Sequence, residues 1–340
     1  MNGICGEVLM SGYACVSLVT ALNLILDPNE ENFVLLNDTP FLFFAKYKDL
    51  VTNENIKYFY FPLSTGKNHA FGDKDWRNNR IRVEQKCFNL ISKDSRSKVV
   101  ALGNRFAERM SEDYGLFFGK DDFLQNGLFF DRYSNYLDKK FANQDFKKFG
   151  IEVEKDSKLI FAWGRCSIAK GFKELALAWA KIYKDLPDHF LILQMPNNSG
   201  EPEYFKEVQD ILKNTSRYIV INDFNPEIWK TVLRTENTSV VCIPSLMDPF
   251  PHTSIEAKLF SKDMNFLTII SDVDGAVDAF NTGEALYVDA RNPEEFSKRL
   301  IEAATMDTES RRKIIDRNQG TIEIFNFPKI LKKFIENNLQ

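Results

Sequence analysis

Short apolar runs recur through this 340-residue chain at intervals too regular for a disordered or all-helical protein. They are FVLL (33–36), IKYFYFPL (56–63), KVVAL (98–102), DDFLQNG (121–127), KLIFAWG (158–164), HFLILQM (189–195), YIVIND (218–223), SVVCIPS (239–245), FLTIIS (266–271) and ALYVDA (285–290). The segments between them have helical character. In FKELALAWAKIY, Phe172, Leu175, Ala176, Trp179, Ile182 and Tyr183 recur at the 3/4 spacing of one buried face. Strands that are apolar throughout, separated by amphipathic helices, predict parallel sheets covered on both sides and so an α/β fold.

The length suits two such domains, each with its own core. A polar, strand-poor stretch near 134–157 marks the expected boundary. We therefore expect an N-terminal domain over 1–150 and a second over 151–325, with ligands in the cleft between them. A C-terminal helix over 326–340, beginning near Pro328, is expected to pack back on the first domain. Apolar residues make up 44% and charged residues 27%, as in a soluble globular chain. The longest apolar candidate, Tyr13 to Leu26, falls short of the ~18–20 residues that cross a bilayer. It also lacks the flanks of a leader, so neither a signal peptide nor a membrane span is expected. Five scattered cysteines (Cys5, Cys15, Cys87, Cys166, Cys242) without a C-x-x-C imply reduced thiols in a cytoplasmic protein. With only three histidines, a histidine-rich metal site is excluded. A net charge of −4 gives no reason to expect nucleic acid as partner.

Two stretches carry chemistry. In FAWGRCSIAKGFKELALAW a strand ends at Gly164, a loop presents Arg165 and Lys170, and Gly171 leads into a helix. A helix N-terminus and two cations there suit an anion such as a diphosphate; ordinary surface charges are the alternative. In PSLMDPFPHTSIEA a buried strand leads through a rigid turn into a second helix. Phe250, Pro251, His252, Thr253 and Ser254 would line its N-terminus, again favourable to an anion. Asp248 and Glu256 stand eight apart around this turn. Glu256 could accept hydrogen bonds from ribose hydroxyls, or it could complement the dipole of a helix capped by Thr253 or Ser254. Both helix starts follow strands of one domain, which would bring them to the same sheet edge.

These segments resemble the GT-B-fold glycosyltransferases, specifically the retaining family 4 group. GRCSIAKGF resembles that family's G-R-x4-K-G, and PSLMDPFPHTSIEA its P-S-x-x-E-G-F-P-N-x-x-x-E-A. The likeness runs over roughly residues 98–305. It implies two Rossmann-like domains with parallel sheets facing across a cleft, the first on the acceptor side and the second on the donor side. It also implies a UDP- or GDP-sugar donor, no required metal and no tightly bound cofactor. By the same likeness Arg165 and Lys170 bind the diphosphate, and Glu256 the ribose. Asp248 and the turn from Phe250 to Thr253 face the donor sugar, and Phe224 packs the nucleobase. The sequence departs from the pattern at Asp248, where Glu is usual and the acid is one methylene longer. It departs again at Phe129, and at the N-terminus, which has no Gly-Gly loop.

His69, in LSTGKNHAFG, could occupy the place of the family histidine that approaches the donor sugar, or be a solvated loop residue. SDVDG (271–275) is read as a loop, not as a metal-binding D-x-D. Between Lys67 and Arg109, eleven Lys/Arg stand against five Asp/Glu. On a helix Arg77, Arg80 and Glu84 share one side. The stretch over 67–109 is either a solvated helix face or drawn peripherally to an anionic inner membrane face or a lipid-diphosphate acceptor. The acceptor expected is a glycan, protein-linked or lipid-linked. A non-catalytic sugar-nucleotide or glycan binder of the same fold, supporting an active partner, is the alternative. No G-x-G-x-x-G follows the first strand, which argues against a nicotinamide dehydrogenase.

Overall fold

The computed structural model describes residues 4–67, 74–197 and 201–339. The chain divides into two compact units, Met1–Gln125 with Lys332–Gln340, and Asn126–Leu331. The boundary thus falls at 125/126 and not at the expected 150/151. Polar composition misplaced it, because the strand-poor segment is bonded into the second unit. Phe141 N–H donates to Arg234 O at 2.8 Å and Phe141 O accepts from Glu236 N–H at 3.0 Å, while Arg234 Nε donates to Lys139 O at 2.8 Å.

In the first unit β1 (Asn32–Asn37), β2 (Ile56–Phe61) and β3 (Ser97–Val99) form a parallel sheet in the order β1-β2-β3. The central strand buries Tyr58, Phe59 and Tyr60 in succession, as a strand covered on both faces must. Phe59 meets Phe334 edge-on at 5.0 Å, and Asn338 accepts from Lys57 at 2.7 Å and Lys98 at 3.3 Å. DDFLQNG contributes only one bridge, Phe123 to Ala101; its Asp pair and Asn-Gly disfavour a longer strand. The N-terminus forms a helix, Ile4–Ile25, with Cys15, Val19 and Leu22 buried at helical spacing. Among the described residues no helix is long and apolar enough to cross a membrane. The basic helix Lys74–Ile91 is not a uniform solvated face. Glu84 is buried, pairs with Arg80 at 2.7 Å, and accepts from the Gly66 amide at 2.9 Å. A cavity of about 410 Å3 near Asn29, Glu54 and Arg96 is lined by the residues just before β1 and by the N-terminal end of β2. Open α/β sheets bind ligands at the opposite, carboxyl ends.

The second unit holds six parallel strands: β4 (Lys158–Trp163), β5 (His189–Gln194), β6 (Tyr218–Ile221), β7 (Thr238–Ile243), β8 (Leu267–Ser271) and β9 (Leu286–Val288). Their order is β6-β5-β4-β7-β8-β9. The chain winds outward from β4 to β6, then returns to place β7 on the other side of β4. That reversal makes the carboxyl ends of β4 and β7 the topological switch point. β7 and β8 are buried along their whole length. The helix Phe172–Ile182 turns Phe172, Leu175, Ala176, Trp179 and Ile182 inward, as its periodicity predicts.

Candidate active site

The loops after β4 and β7 meet at this switch point. After Trp163 the chain makes a short 3-10 turn, Ile168–Lys170, and reaches Gly171 at φ 67° before entering the helix Phe172–Ile182. A side chain at Gly171 would overlap the carbonyl of Pro244, so only glycine allows the two loops to touch. Leu246 and Met247 N–H both donate to Ala169 O, at 2.8 and 3.3 Å. A third loop joins them, Gly275 N–H donating to Asp248 O at 3.1 Å. The side chains of Lys170 and Asp248, thus fixed from both ends, form a part-buried ion pair.

Arg165 is exposed on the same loop. Glu201, not anticipated from sequence, accepts from Ser167 Oγ at 3.1 Å and Ile168 N–H at 2.9 Å, bracing the turn that carries Lys170. Past Asp248, Phe250 is buried against Phe325, 6.1 Å between ring centres, and Pro251 is buried too. Asn126 donates to Phe250 O at 2.9 Å, and its Oδ1 lies 2.8 Å from His252 Nε2. His252 keeps an exposed edge. The protein around the rest of its ring holds its pKa below the usual imidazole range, against the pull of Asp248.

The helix His252–Phe260 begins at Pro251 without a side-chain cap, so neither Thr253 nor Ser254 caps it. Thr253 is half-buried. Ser254 is fully buried, with its hydroxyl unpaired among the described residues and its amide bonded to Pro251 O at 3.1 Å. Pro251 has no amide hydrogen to offer. The turn therefore presents fewer donors than its sequence suggests.

One turn in, Glu256 projects into an aromatic cluster. Trp163 Nε1 donates to its Oε2 at 3.1 Å, and Tyr133 OH to its Oε1 at 3.4 Å. Desolvation pushes Glu256 up to about 7, against the opposing pull of these two bonds and of the Lys170 and Lys230 charges. Phe161, Trp163 and Trp229 stack in parallel at 5.3 and 5.8 Å, and Phe260 closes the cluster edge-on against Trp229 at 5.4 Å. Trp163 adjoins the G-R motif and could have been flagged by position. Tyr133 lies 123 residues from Glu256 and had no local signal.

Phe224 is 75% exposed in the loop after β6, two strands from β4. Its backbone neighbours Asp223 and Asn225 are held by Gln194 at 3.0 and 2.9 Å. His69 lies outside the described residues. Among the described residues no cluster of three or more His, Cys, Asp or Glu could hold a metal ion.

The family model described as glycosyl transferases group 1 matches residues 143–321, more than half of the chain. This chain belongs to that family. It is therefore a glycosyltransferase, and the matched span contains both motif loops and the whole six-stranded sheet. No curated protein matches it by sequence. Solved structures resemble it over nearly its full length. An alpha,alpha-trehalose-phosphate synthase (UDP-forming) from Burkholderia vietnamiensis is 14% identical with a TM-score of 0.70, covering 96% of this chain and 77% of that one. The N-terminal domain of a Candida albicans trehalose-6-phosphate phosphatase is 13% identical, TM-score 0.75, with coverage of 97% and 74%. A glycosyltransferase from Rickettsia africae is 17% identical, TM-score 0.70, with coverage of 95% and 80%. At such identities the likeness concerns the fold, which is GT-B with two Rossmann-like domains.

Proposed function

We propose that this glycosyltransferase moves a sugar from a nucleoside diphosphate donor to an acceptor hydroxyl with retention of configuration, and without needing a metal. The observation that carries the reading is the convergence of Lys170, Asp248 and Glu256 at one switch-point edge. Glu256 accepts from the ribose hydroxyls. Lys170, exposed Arg165 and the uncapped start of the helix His252–Phe260 receive the diphosphate. Lys170 must then share its ammonium between Asp248 and phosphate oxygens. As the glycosidic bond breaks, negative charge grows on the leaving diphosphate, and fixed cations and helix amides stabilise it where it forms. Asp248, rigidly mounted beside Lys170, faces the sugar hydroxyls, and its shorter reach relative to the family's usual Glu narrows the sugars it can hold. Phe224 offers an exposed ring to the base. Uracil is the first base to test, because similar structures include UDP-forming synthases.

Thermal unfolding with UDP, GDP and their sugars tests the reading, because a ligand bound only by the native state raises the midpoint by mass action. One donor series should stabilise the protein and be turned over, and Lys170→Ala and Glu256→Ala should lose both effects. Binding without turnover of any donor would leave a sugar-nucleotide binder of the same fold. Variants indistinguishable from wild type would remove the site assignment. The acceptor is proposed to be a glycan or a lipid-linked sugar. Lys74, Arg82 and Lys86 remain exposed for contact with an anionic membrane. Equal, negligible sedimentation with anionic and neutral vesicles at low salt would refute that contact.

A further inference from the structure

We infer that Trp163 and Tyr133 are positioning residues for the nucleotide. They orient the Glu256 carboxylate so that one acceptor site on each oxygen stays open for a vicinal diol. The inference rests on the ribose role proposed for Glu256, but it adds two residues that no motif contains.

A carboxylate has two oxygens and about four acceptor sites. Trp163 Nε1 occupies one on Oε2 at 3.1 Å, and Tyr133 OH one on Oε1 at 3.4 Å. Each oxygen keeps a second site, and two adjacent hydroxyls of one ring can fill both. Neither donor is free to wander. Trp163 ends β4 and is stacked between Phe161 and Trp229. Tyr133 packs edge-on against Phe260 at 5.7 Å. Its segment is tied down a few residues later, where Phe141 N–H donates to Arg234 O at 2.8 Å and Arg234 Nε donates to Lys139 O at 2.8 Å.

Burial opposes charge on Glu256, and four groups favour it: the indole N–H, the phenol, and the ammonium charges of Lys170 and Lys230. The two lysines act through space, and both hydrogen bonds come from neutral donors. Burial and the neighbouring Glu256 charge push Tyr133 up to about 12, so it remains a protonated donor throughout the useful pH range. A protonated Glu256 would give one acceptor site to its own proton and receive a diol poorly. Ribose recognition should therefore weaken as pH falls through 7, and removing either donor should move that loss to higher pH.

The experiment compares dissociation constants of UDP and 2′,3′-dideoxy-UDP between pH 6 and 9, or of the guanosine pair if that base binds. The proteins are wild type, Glu256→Gln, Trp163→Phe and Tyr133→Phe. Phenylalanine at 163 keeps a ring in the stack and removes the N–H, and at 133 it removes only the hydroxyl. Wild type should prefer the ribose form about tenfold or more at pH 8 and lose most of that preference at pH 6. Trp163→Phe and Tyr133→Phe should carry the same transition to higher pH, the former further because its bond is shorter. Should Trp163→Phe not fold, Tyr133→Phe decides alone. If Glu256→Gln abolishes the ribose preference while both Phe variants keep the wild-type transition, this inference is wrong and the ribose role stands. If wild type shows no ribose preference at any pH, the ribose role itself is wrong.

Discussion

Glu256, part-buried, and Lys258, buried, stand two residues apart on one nine-residue helix, and their charges are met in opposite ways. Lys258 has a dedicated counter-ion, Glu284 at 2.6 Å, with both side chains almost wholly shielded from solvent. The rest of that pair is also satisfied: Lys258 donates to Ala279 O at 3.2 Å, and Glu284 accepts from Asn281 N–H and Thr321 Oγ1, both at 2.9 Å. Glu256 has only neutral donors at hydrogen-bond distance and a pKa pushed up to about 7. A buried charge whose every need is met inside the protein is a structural fixture. A part-buried carboxylate met only by neutral donors is a candidate ligand group. The contrast sets a candidate ligand group apart from a framework pair on one helix.

The largest effect should come from breaking the satisfied pair. Glu284→Ala leaves an ammonium uncompensated in the core and should cost about 3–5 kcal/mol in denaturant unfolding. Lys258→Met combined with Glu284→Leu should recover much of this, since hydrophobic replacement of a buried pair is often nearly neutral. Next, Lys170→Ala should weaken nucleoside diphosphate binding by roughly 10- to 100-fold, the worth of a charge-assisted hydrogen bond, measured by calorimetry at fixed salt. A loss under twofold would move the diphosphate elsewhere.

Glu256→Gln should act on stability with the opposite sign. The folded-state pKa of Glu256 lies above its unfolded value. Its ionisation therefore costs nothing below about pH 4.5 and progressively destabilises the fold as pH rises to about 7. Relative to wild type, the Gln variant should gain on the order of 2 kcal/mol between pH 5 and 8, even as nucleotide affinity falls. Unfolding curves at both pH values check this, and a flat difference would mean that Glu256 is better solvated than its surroundings indicate. Smallest of all, Phe224→Ala should change stability by less than about 0.5 kcal/mol, so any change in base preference can be read without correction.

The second unit was largely legible in the sequence, because its strands are apolar throughout and its motif loops are short. A run such as KLIFAWG has few ways to be anything but a buried strand, and β4 occupies Lys158–Trp163. The partners of Glu256 were not legible. Tyr133 reaches it only through tertiary packing, and Trp163 reads as one more core aromatic until its indole N–H is seen to point at a carboxylate. Polarity hid the unit boundary as well. A strand-poor segment looks like a linker, yet Phe141 forms a bridge with Thr235 and belongs to the second unit. In the first unit Arg80 and Glu84 were placed correctly on one side of a helix. Their charges concealed that this side turns inward, because each neutralises the other.

The glycine contacts at the site have a dynamic consequence. Gly171 packs against the carbonyl of Pro244 and Gly275 against that of Pro249, and hydrogen bonds cross between the three loops, so we expect them to move as one. The amides of Leu246, Met247 and Gly275, which cross between loops, should then exchange their hydrogens with solvent at one common rate instead of three. If the donor binds here as proposed, loops that move as one would leave little of its binding energy to be spent on ordering the protein.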